Sequence, residues 1–120
     1  MGVTRFEDLI VWQRSQEFTV SIYTFFGSLK DYGFRDQIPR ASVSISNNIA
    51  EGFERQGSKE FARYLKISQA SAGEVRSMLY LAQKLNYLNK ERAKKMVKES
   101  NELSKMIYSL RKSVLSRTMH

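Results

Sequence analysis

Cysteine is absent from the 120-residue sequence, and the only histidine is the last residue, His120. Disulfides, thiolate catalysis and cysteine-based metal sites are therefore excluded. The apolar runs fall short of the roughly 20 residues that a bilayer-spanning helix needs. The first residues contain an acidic pair, Glu7 and Asp8, and no small-residue cleavage site, so they do not resemble a secretory signal. These absences predict a cytoplasmic protein with no membrane partner, no metal and no other cofactor.

Positive charge is plentiful, and it is concentrated in the second half of the chain. Lysine and arginine together number 20, against 12 aspartates and glutamates, so the net charge is +8 and the pI is near 9.9. Residues 1–57 are close to neutral, whereas residues 90–120 alone carry nine basic and three acidic side chains. Such an asymmetry indicates an anionic partner, in the first place nucleic acid. A membrane surface is the weakest alternative, because the lysines of the last segment lack a flanking Trp or Phe face that is not already core, and no membrane partner is expected.

Apolar residues recur at intervals of three and four in four segments, which predicts four helices. We predict an all-α single domain over residues 1–120, folded as an antiparallel up-down four-helix bundle. Its helices are expected at about 5–29, 36–54, 58–86 and 90–115. The expected N-caps are Thr4 (in a capping box with Glu7), Asp36, Ser58 and Asn89. With Asp36 as the cap, Pro39 falls in the first turn, where helical amides have no partner in any case.

The first predicted helix has two adjacent apolar stripes, which together are wider than one neighbouring helix can cover. The stripe expected in the core consists of Val11, Ser15, Phe18, Ile22, Phe25 and Leu29. The second stripe consists of Trp12, Thr19, Tyr23 and Phe26. Its aromatic residues, Trp12, Tyr23 and Phe26, are candidates for contact with another subunit. The alternative is that they only thicken the core of one chain.

The second predicted helix is rich in residues that weaken helices. Its centre reads SVSISNNIAEG, whose serines and asparagines together cost about 2 kcal/mol relative to alanine. One interpretation is close packing against the third helix, whose centre, SQASAG, is equally small. The other is a polar ridge that faces another subunit or a ligand. That ridge would consist of Arg40, Ser44, Asn47 or Asn48, Glu51 and Arg55.

Basic residues of the third and fourth helices form the candidate nucleic-acid site. On the fourth helix Lys98, Lys105 and Lys112 recur every seven residues and share one side, with Lys94 and Lys95 one turn earlier. The candidates on the third helix are Lys59, Arg63 and Lys66. Lysine suits phosphate neutralisation more than base reading, so the sequence does not distinguish RNA from DNA. The alternative is that these lysines only solvate a stable bundle.

Catalysis is not expected of this sequence. The carboxylates Glu51, Glu54 and Glu60 lie close together, but no histidine, cysteine or phosphate-binding glycine loop accompanies them. Arg55 and Lys59 alternate with these acids and would repel a divalent cation. We therefore predict a protein that is not an enzyme.

Three segments of the chain carry a resemblance to a known family. They are FEDLIVWQ at residues 6–13, QIPRASVSISNNIAEGFER at 37–55 and SKEFARYLKISQASAGEV at 58–75. The chain resembles the four-helix-bundle family encoded in intervening sequences of bacterial 23S rRNA genes. The resemblance implies a small non-enzymatic bundle that assembles as a ring-like pentamer. A related branch, the accessory variability proteins of diversity-generating retroelements, implies binding to nucleic acid and to a reverse transcriptase.

The family's pattern assigns a shared motif to the second helix of this chain. Its residues here are Arg40, Ser44, Asn48, Glu51, Gly52 and Arg55, while Pro39 and Ala70 depart from the usual pattern. We therefore expect a homo-oligomer, a pentamer by resemblance, that binds RNA or DNA through helices three and four. The expected role is an accessory to a larger machine such as a reverse transcriptase. The alternative is a protein-binding adaptor with no direct nucleic-acid role.

Overall fold

The computed structural model describes residues 2–118, with side chains to residue 116, so His120 lies outside the described residues. A short 3-10 helix, Phe6–Asp8, precedes four α-helices. These are α1 (Ile10–Phe26), α2 (Tyr32–Glu54), α3 (Ser58–Lys84) and α4 (Lys90–Thr118). No strand occurs within residues 2–118. The prediction of an all-α chain with four helices is confirmed.

One hydrophobic core is built from all four helices. Ile22, Ile45, Leu79 and Ile107, one from each helix, are fully buried in it. α3 packs against both α2 and α4, while α1 packs mainly on α2, and the molecule measures 50 × 20 × 20 Å. The spacing of three and four predicts one core-facing stripe on each of the last two helices, and both stripes are buried except for two half-buried side chains, Phe61 and Leu110. On α3 the stripe is Phe61, Leu65, Ser68, Ala72, Val75, Leu79 and Ala82, and on α4 it is Ala93, Met96, Ser100, Leu103, Ile107, Leu110 and Val114.

The start of the first helix differs from the prediction. The Thr4 capping box does not form, because the chain makes the short 3-10 helix and then an extended residue, Leu9, before α1 begins. Arg5 lies 3.7 Å from the carboxylate of Glu7 and 3.6 Å from that of Asp8. The Glu7 side chain therefore faces the arginine rather than the amide of Thr4.

The second helix begins four residues earlier than predicted, with Asp31 and not Asp36 as its N-cap. Asp31 Oδ1 accepts a hydrogen bond from the Phe34 amide at 3.2 Å, and Asp31 Oδ2 accepts one from Tyr87 Oη at 2.7 Å. Pro39 consequently lies inside α2 rather than in its first turn. It has no amide to donate to the Arg35 carbonyl, but its ring is buried against the interior.

The last two helices follow short connections that each contain one residue with positive φ, Gln56 at 56° and Asn86 at 62°. Gly57 precedes α3 without any side-chain cap, so the prediction that Ser58 caps this helix was wrong by one residue. The cap predicted for α4 is confirmed, because Asn89 Oδ1 accepts a hydrogen bond from the Arg92 amide at 2.7 Å.

Two adjacent phenylalanines of α1 exchange the positions predicted for them. Phe26 is only 1% exposed and packs against Phe34 at a ring distance of 5.6 Å. Phe25 is 37% exposed and lies beneath the guanidinium of Arg92, 4.3 Å from it. The buried face continues from Ile22 by a step of four rather than three. The prediction that Phe26 faces another subunit is therefore wrong, and this side chain belongs to the core of the chain.

Candidate nucleic-acid interface

Serine hydroxyls of α2 and α3 join α2 to its neighbouring helices. Ser42 Oγ and Thr19 Oγ1 of α1 are hydrogen-bonded at 2.7 Å, and both side chains are buried. Ser46 Oγ accepts a hydrogen bond at 3.0 Å from Gln16, also on α1. From α3, Ser68 Oγ donates at 2.7 Å to the Ile45 carbonyl. These hydroxyls stabilise helix packing, which offsets the weak helix propensity of serine.

The motif residues Ser44, Asn48 and Gly52 lie along the contact between α2 and α3. Ser44 Oγ is 2.9 Å from Ser71 Oγ of α3, and Asn48 Nδ2 donates to the Ser44 carbonyl at 2.8 Å and to its Oγ at 2.9 Å. A β-carbon added at Gly52 would lie 2.5 Å from the β-carbon of Tyr64. The two helices thus approach so closely at Gly52 that only glycine fits without a shift.

Two motif residues, Glu51 and Arg55, belong to a cluster that also includes Glu60, Arg63 and Tyr64, here called the arginine cluster. Arg55 donates to Glu51 at 3.1 Å, and Arg63 donates to both oxygens of Glu60 at 3.0 and 3.3 Å. Both guanidinium groups lie over the Tyr64 ring, at 5.3 Å for Arg55 and 4.7 Å for Arg63. Arg63 was predicted to contact nucleic acid, but its guanidinium is already bonded to Glu60 and lies over the Tyr64 ring.

Charge pairing in the arginine cluster shifts the pKa values of three of its groups. The hydrogen bonds from Arg63 hold the pKa of Glu60 below its usual value, and Glu60 raises the pKa of Arg63. The hydrogen bond to Glu51 and, second, the electrostatic effect of Tyr64 raise the pKa of Arg55.

The remaining motif residue, Arg40, is exposed, and its Nε donates to the Asp36 carbonyl at 3.3 Å.

The lysines predicted on α4 are all exposed. Every ion pair among the described residues uses an arginine, so within residues 2–116 none of these lysines lies at ion-pair distance from a carboxylate. Four of them form what we call the lysine row: Lys94, Lys98, Lys105 and Lys112. Steps of four, seven and seven residues keep the row within an arc of about 40° and extend it over about 27 Å of helix. The row lies opposite the buried seam of Met96, Leu103 and Ile107, and Lys95 stands to one side of it.

Two shallow grooves border the lysine row, and Asn101 lines both of them. The first is lined by Glu91, Lys94, Lys95, Val97, Lys98 and Asn101. The second lies between α3 and α4 and is lined by Gln69, Asn101, Ser104, Lys105, Tyr108 and Ser109. We call it the seam groove. Tyr108 was not among the residues predicted from the sequence, although its position three residues after Lys105 and four before Lys112 places it beside the row.

The basic residues of α3 approach the same surface to different extents. Lys66 precedes Gln69 of the seam groove by three residues and therefore lies on the same side of α3. Lys59 lies seven residues before Lys66, two turns further along that side. Both lysines are exposed. Arg63 differs from them because its guanidinium is held over Tyr64. By this spacing, Lys59 and Lys66 lie on the side of α3 that borders the seam groove.

The aromatic residues proposed for subunit contact also separate into different environments. Tyr23 is 55% exposed on α1, whereas Trp12 is half-buried against Phe6, with the rings of Trp12 and Phe6 edge to face at 5.3 Å.

Within the part of the chain that the structure describes, no three histidine, cysteine or acidic side chains are placed to hold a metal ion. None of the described helices is long and apolar enough to cross a membrane.

Comparison with known proteins identifies relatives of the chain. Residues 7–109 match the family described as 23S rRNA-intervening sequence protein. The chain is also similar to the crystal structure of a protein with unknown function from the S23 ribosomal protein family of Bacteroides thetaiotaomicron VPI-5482. The two share 30% sequence identity and a TM-score of 0.80, over 86% of this chain and 99% of that one. No curated protein matches the chain. Because the family match extends over most of its length, the chain belongs to the 23S rRNA-intervening sequence protein family.

Proposed function

We propose that this protein is a non-enzymatic nucleic-acid-binding protein whose lysine row contacts the phosphate backbone. The observation that carries the proposal is the row itself, four exposed lysines without an ion pair in the described chain. Clustered like charges repel one another, and an anionic polymer would relieve that repulsion. Because lysine contacts phosphates as a flexible point charge, binding would depend only weakly on base sequence.

The proposal extends to the arrangement of the helices and of the subunits. Short connections support an antiparallel up-down bundle. The exposed apolar residues Ile10, Val20 and Tyr23 of α1 support a homo-oligomer, since they lie on a helix with few neighbours in its own chain. The family resemblance favours a ring of five. A ring would bring several lysine rows to one nucleic acid, so that weak contacts act at high effective concentration.

Salt dependence tests the electrostatic part of the proposal. Fluorescence anisotropy would measure the affinity for a labelled duplex and a labelled single strand between about 50 and 200 mM salt. With about five contacted phosphates per complex, log K should fall with log salt with a slope near −4.5 for duplex and −3.5 for single strand. A slope near zero would contradict phosphate binding.

Charge reversal tests the assignment to α4. Replacing Lys94, Lys95, Lys98 and Lys105 with Glu should lower the affinity by more than about 100-fold, because repulsion replaces phosphate contacts. Thermal unfolding should change little, since exposed charges contribute little to stability. The matched control applies the same change in net charge elsewhere, at Arg5, Arg14, Lys30 and Arg35. Equal losses in the two variants would show that net charge, and not the lysine row, determines binding.

A second candidate function, a protein-binding adaptor, is favoured by one observation on α3. Ile67 and Leu81 of α3, together with Leu85 just beyond it, are 40–46% exposed, on the outer side of the helix. A partner protein could cover these side chains. Two results together would favour this function. The wild-type protein would bind neither duplex nor single strand at about 50 mM salt, and it would bind a partner protein that an Ile67→Glu variant no longer binds.

A further inference from the structure

We propose that the seam groove holds one unpaired nucleobase, stacked on Tyr108, of a single strand whose phosphates contact the lysine row. This inference rests on the proposed function and deepens it, because it names the form of nucleic acid that this surface prefers. The groove has a volume of about 410 Å³, within the range of small-molecule sites.

Tyr108 supplies the stacking surface. Its side chain is 52% exposed on α4, so its ring is open to a ligand. Unpaired bases stack on aromatic side chains, whereas the bases of a duplex are already stacked on one another. Lys105 and Lys112 stand on either side of Tyr108 along the helix. A base over the tyrosine would thus have a cationic side chain toward each neighbouring phosphate.

Asn101 supplies an oriented hydrogen-bond donor. Arg76 of α3 donates to Asn101 Oδ1 at 2.7 Å, and this contact is partly buried. Because a guanidinium only donates, the bond assigns the acceptor oxygen to the Arg76 side and leaves the two Nδ2 hydrogens for another acceptor. Asn101 lines the seam groove, where base carbonyl and ring nitrogen atoms are acceptors of that kind. The amide and hydroxyls of Gln69, Ser104 and Ser109 offer both donors and acceptors to a base edge.

The combination separates the seam groove from two other grooves of the molecule. The neighbouring groove has lysines but no aromatic residue. The groove between α1 and α2 has Tyr23, with Arg35 and Arg40, but also the carboxylate of Asp36. Among these three, the seam groove alone combines an exposed ring, a lysine, an oriented amide and no carboxylate.

The test compares an oligonucleotide of about 12 residues with a duplex of the same length, in RNA and DNA forms, for wild type and variants. Wild type should bind the single strand more tightly than the duplex. Tyr108→Ala should weaken single-strand binding by about 5- to 150-fold and leave duplex binding unchanged, since it removes one stacked base. Tyr108→Phe keeps the ring and should retain wild-type affinity. Tyr32→Ala is the matched control, an exposed tyrosine on α2 that lies outside the basic surface.

A second readout reports stacking directly. An oligothymidine with one 2-aminopurine should lose fluorescence on binding to wild type and to Tyr108→Phe, but not on binding to Tyr108→Ala. Wild type that binds neither nucleic acid would overturn the proposed function together with this inference. A different outcome would overturn only the nucleobase site. In that outcome wild type binds both nucleic acids with the expected salt slope, and Tyr108→Ala either changes neither affinity or weakens both equally.

Discussion

Between α2 and α3, polar groups find their partners within the chain: Ser44 with Ser71, Ser68 with the Ile45 carbonyl, and the arginine cluster with its own carboxylates. On the outer side of α4 the lysines have no such partners among the described residues. Both regions are strongly polar, so composition alone does not separate them. The difference lies in whether the partners of the polar groups are in the chain or outside it.

This difference assigns separate roles to the two regions. Hydrogen bonds and a close helix approach make the α2–α3 contact a determinant of the fold, and changes there should alter stability. Unpaired lysines on a solvated helix add little to stability, and changes there should alter binding. Substitutions in the two regions should therefore differ in their effect on stability, and the largest change is expected where α2 and α3 approach most closely.

Replacing Gly52 of α2 or Gly73 of α3 with alanine should change the free energy of unfolding in opposite directions. Gly52→Ala should destabilise the protein by about 1–3 kcal/mol, because the new methyl group would collide with Tyr64 and Phe61. Gly73→Ala is the matched control, because a β-carbon there meets nothing within 4 Å. It should stabilise the protein by up to about 1 kcal/mol through helix propensity. Urea unfolding measures both, and stabilisation by Gly52→Ala would contradict the close approach.

A buried hydroxyl should matter more than one in the seam groove. Ser68→Ala removes the hydrogen bond to the Ile45 carbonyl and should cost about 1 kcal/mol. Ser104→Ala, in a half-buried position beside the lysine row, should change the free energy of unfolding by less than about 0.5 kcal/mol. The same unfolding titrations apply, and equal losses in the two variants would remove the distinction between the regions.

The pair of Asp31 and Tyr87 predicts a pH dependence for the paired side of the molecule. The hydrogen bond from Tyr87, followed by the one from the Phe34 amide, lowers the pKa of Asp31 below its ordinary 3.8. The ionised Asp31 carboxylate therefore contributes its full stabilisation above pH 3.8, the ordinary pKa that holds in the unfolded chain. This stabilisation is lost as pH falls through the lower pKa of the folded state. The Asp31 carboxylate raises the pKa of Tyr87 above its ordinary 10.0, so this contribution is full below pH 10.0 and is lost as pH rises through the higher value.

Replacing the tyrosine tests this dependence. Tyr87→Phe should lower Tm at neutral pH, and the difference from wild type should shrink under acidic conditions, where the carboxylate is protonated in both states. Tyr80→Phe, at an exposed tyrosine of α3, is the control and should leave Tm unchanged at each pH. A Tm difference for Tyr87→Phe that stays constant down to strongly acidic pH would show that the hydrogen bond is not its cause.

The smallest effect on stability is expected in the lysine row itself. Lys94 and Lys98 are four residues apart, where like charges on a helix destabilise it by about 0.2–0.5 kcal/mol. Lys98→Ala should therefore raise the free energy of unfolding slightly at low salt while weakening nucleic-acid binding. Added salt should abolish the gain, because it screens the repulsion. A loss of stability larger than about 0.5 kcal/mol would show that Lys98 has a structural role.

The sequence predicted those features that depend on spacing along one helix. The four helices, the buried stripes of α3 and α4 and the exposure of the lysines follow from intervals of three, four and seven residues. The exchange of Phe25 and Phe26 was not predictable in this way, because steps of three and of four from Ile22 are both compatible with an α-helix. Their burial is decided by where Phe34 and Arg92 of other helices stand.

Features that depend on two distant segments were not predictable from spacing. Tyr87, 56 residues away in sequence, contacts the Asp31 that begins α2, so the true start of that helix depends on a tertiary contact. The seam groove likewise depends on how α3 and α4 are rotated and aligned, which brings Gln69 beside Lys105. No pattern within either helix determines that alignment.

Pro39 has a consequence for how the chain opens locally. Because proline donates no amide hydrogen, the Arg35 carbonyl has no partner one turn along, and the first seven residues of α2 are joined less firmly to the rest of the helix. Those residues depend instead on the Asp31 cap and on the packing of Phe34 against Phe26 and Tyr87. Amide hydrogens in the α2 segment before Pro39 should therefore exchange with solvent faster than those near Ile49.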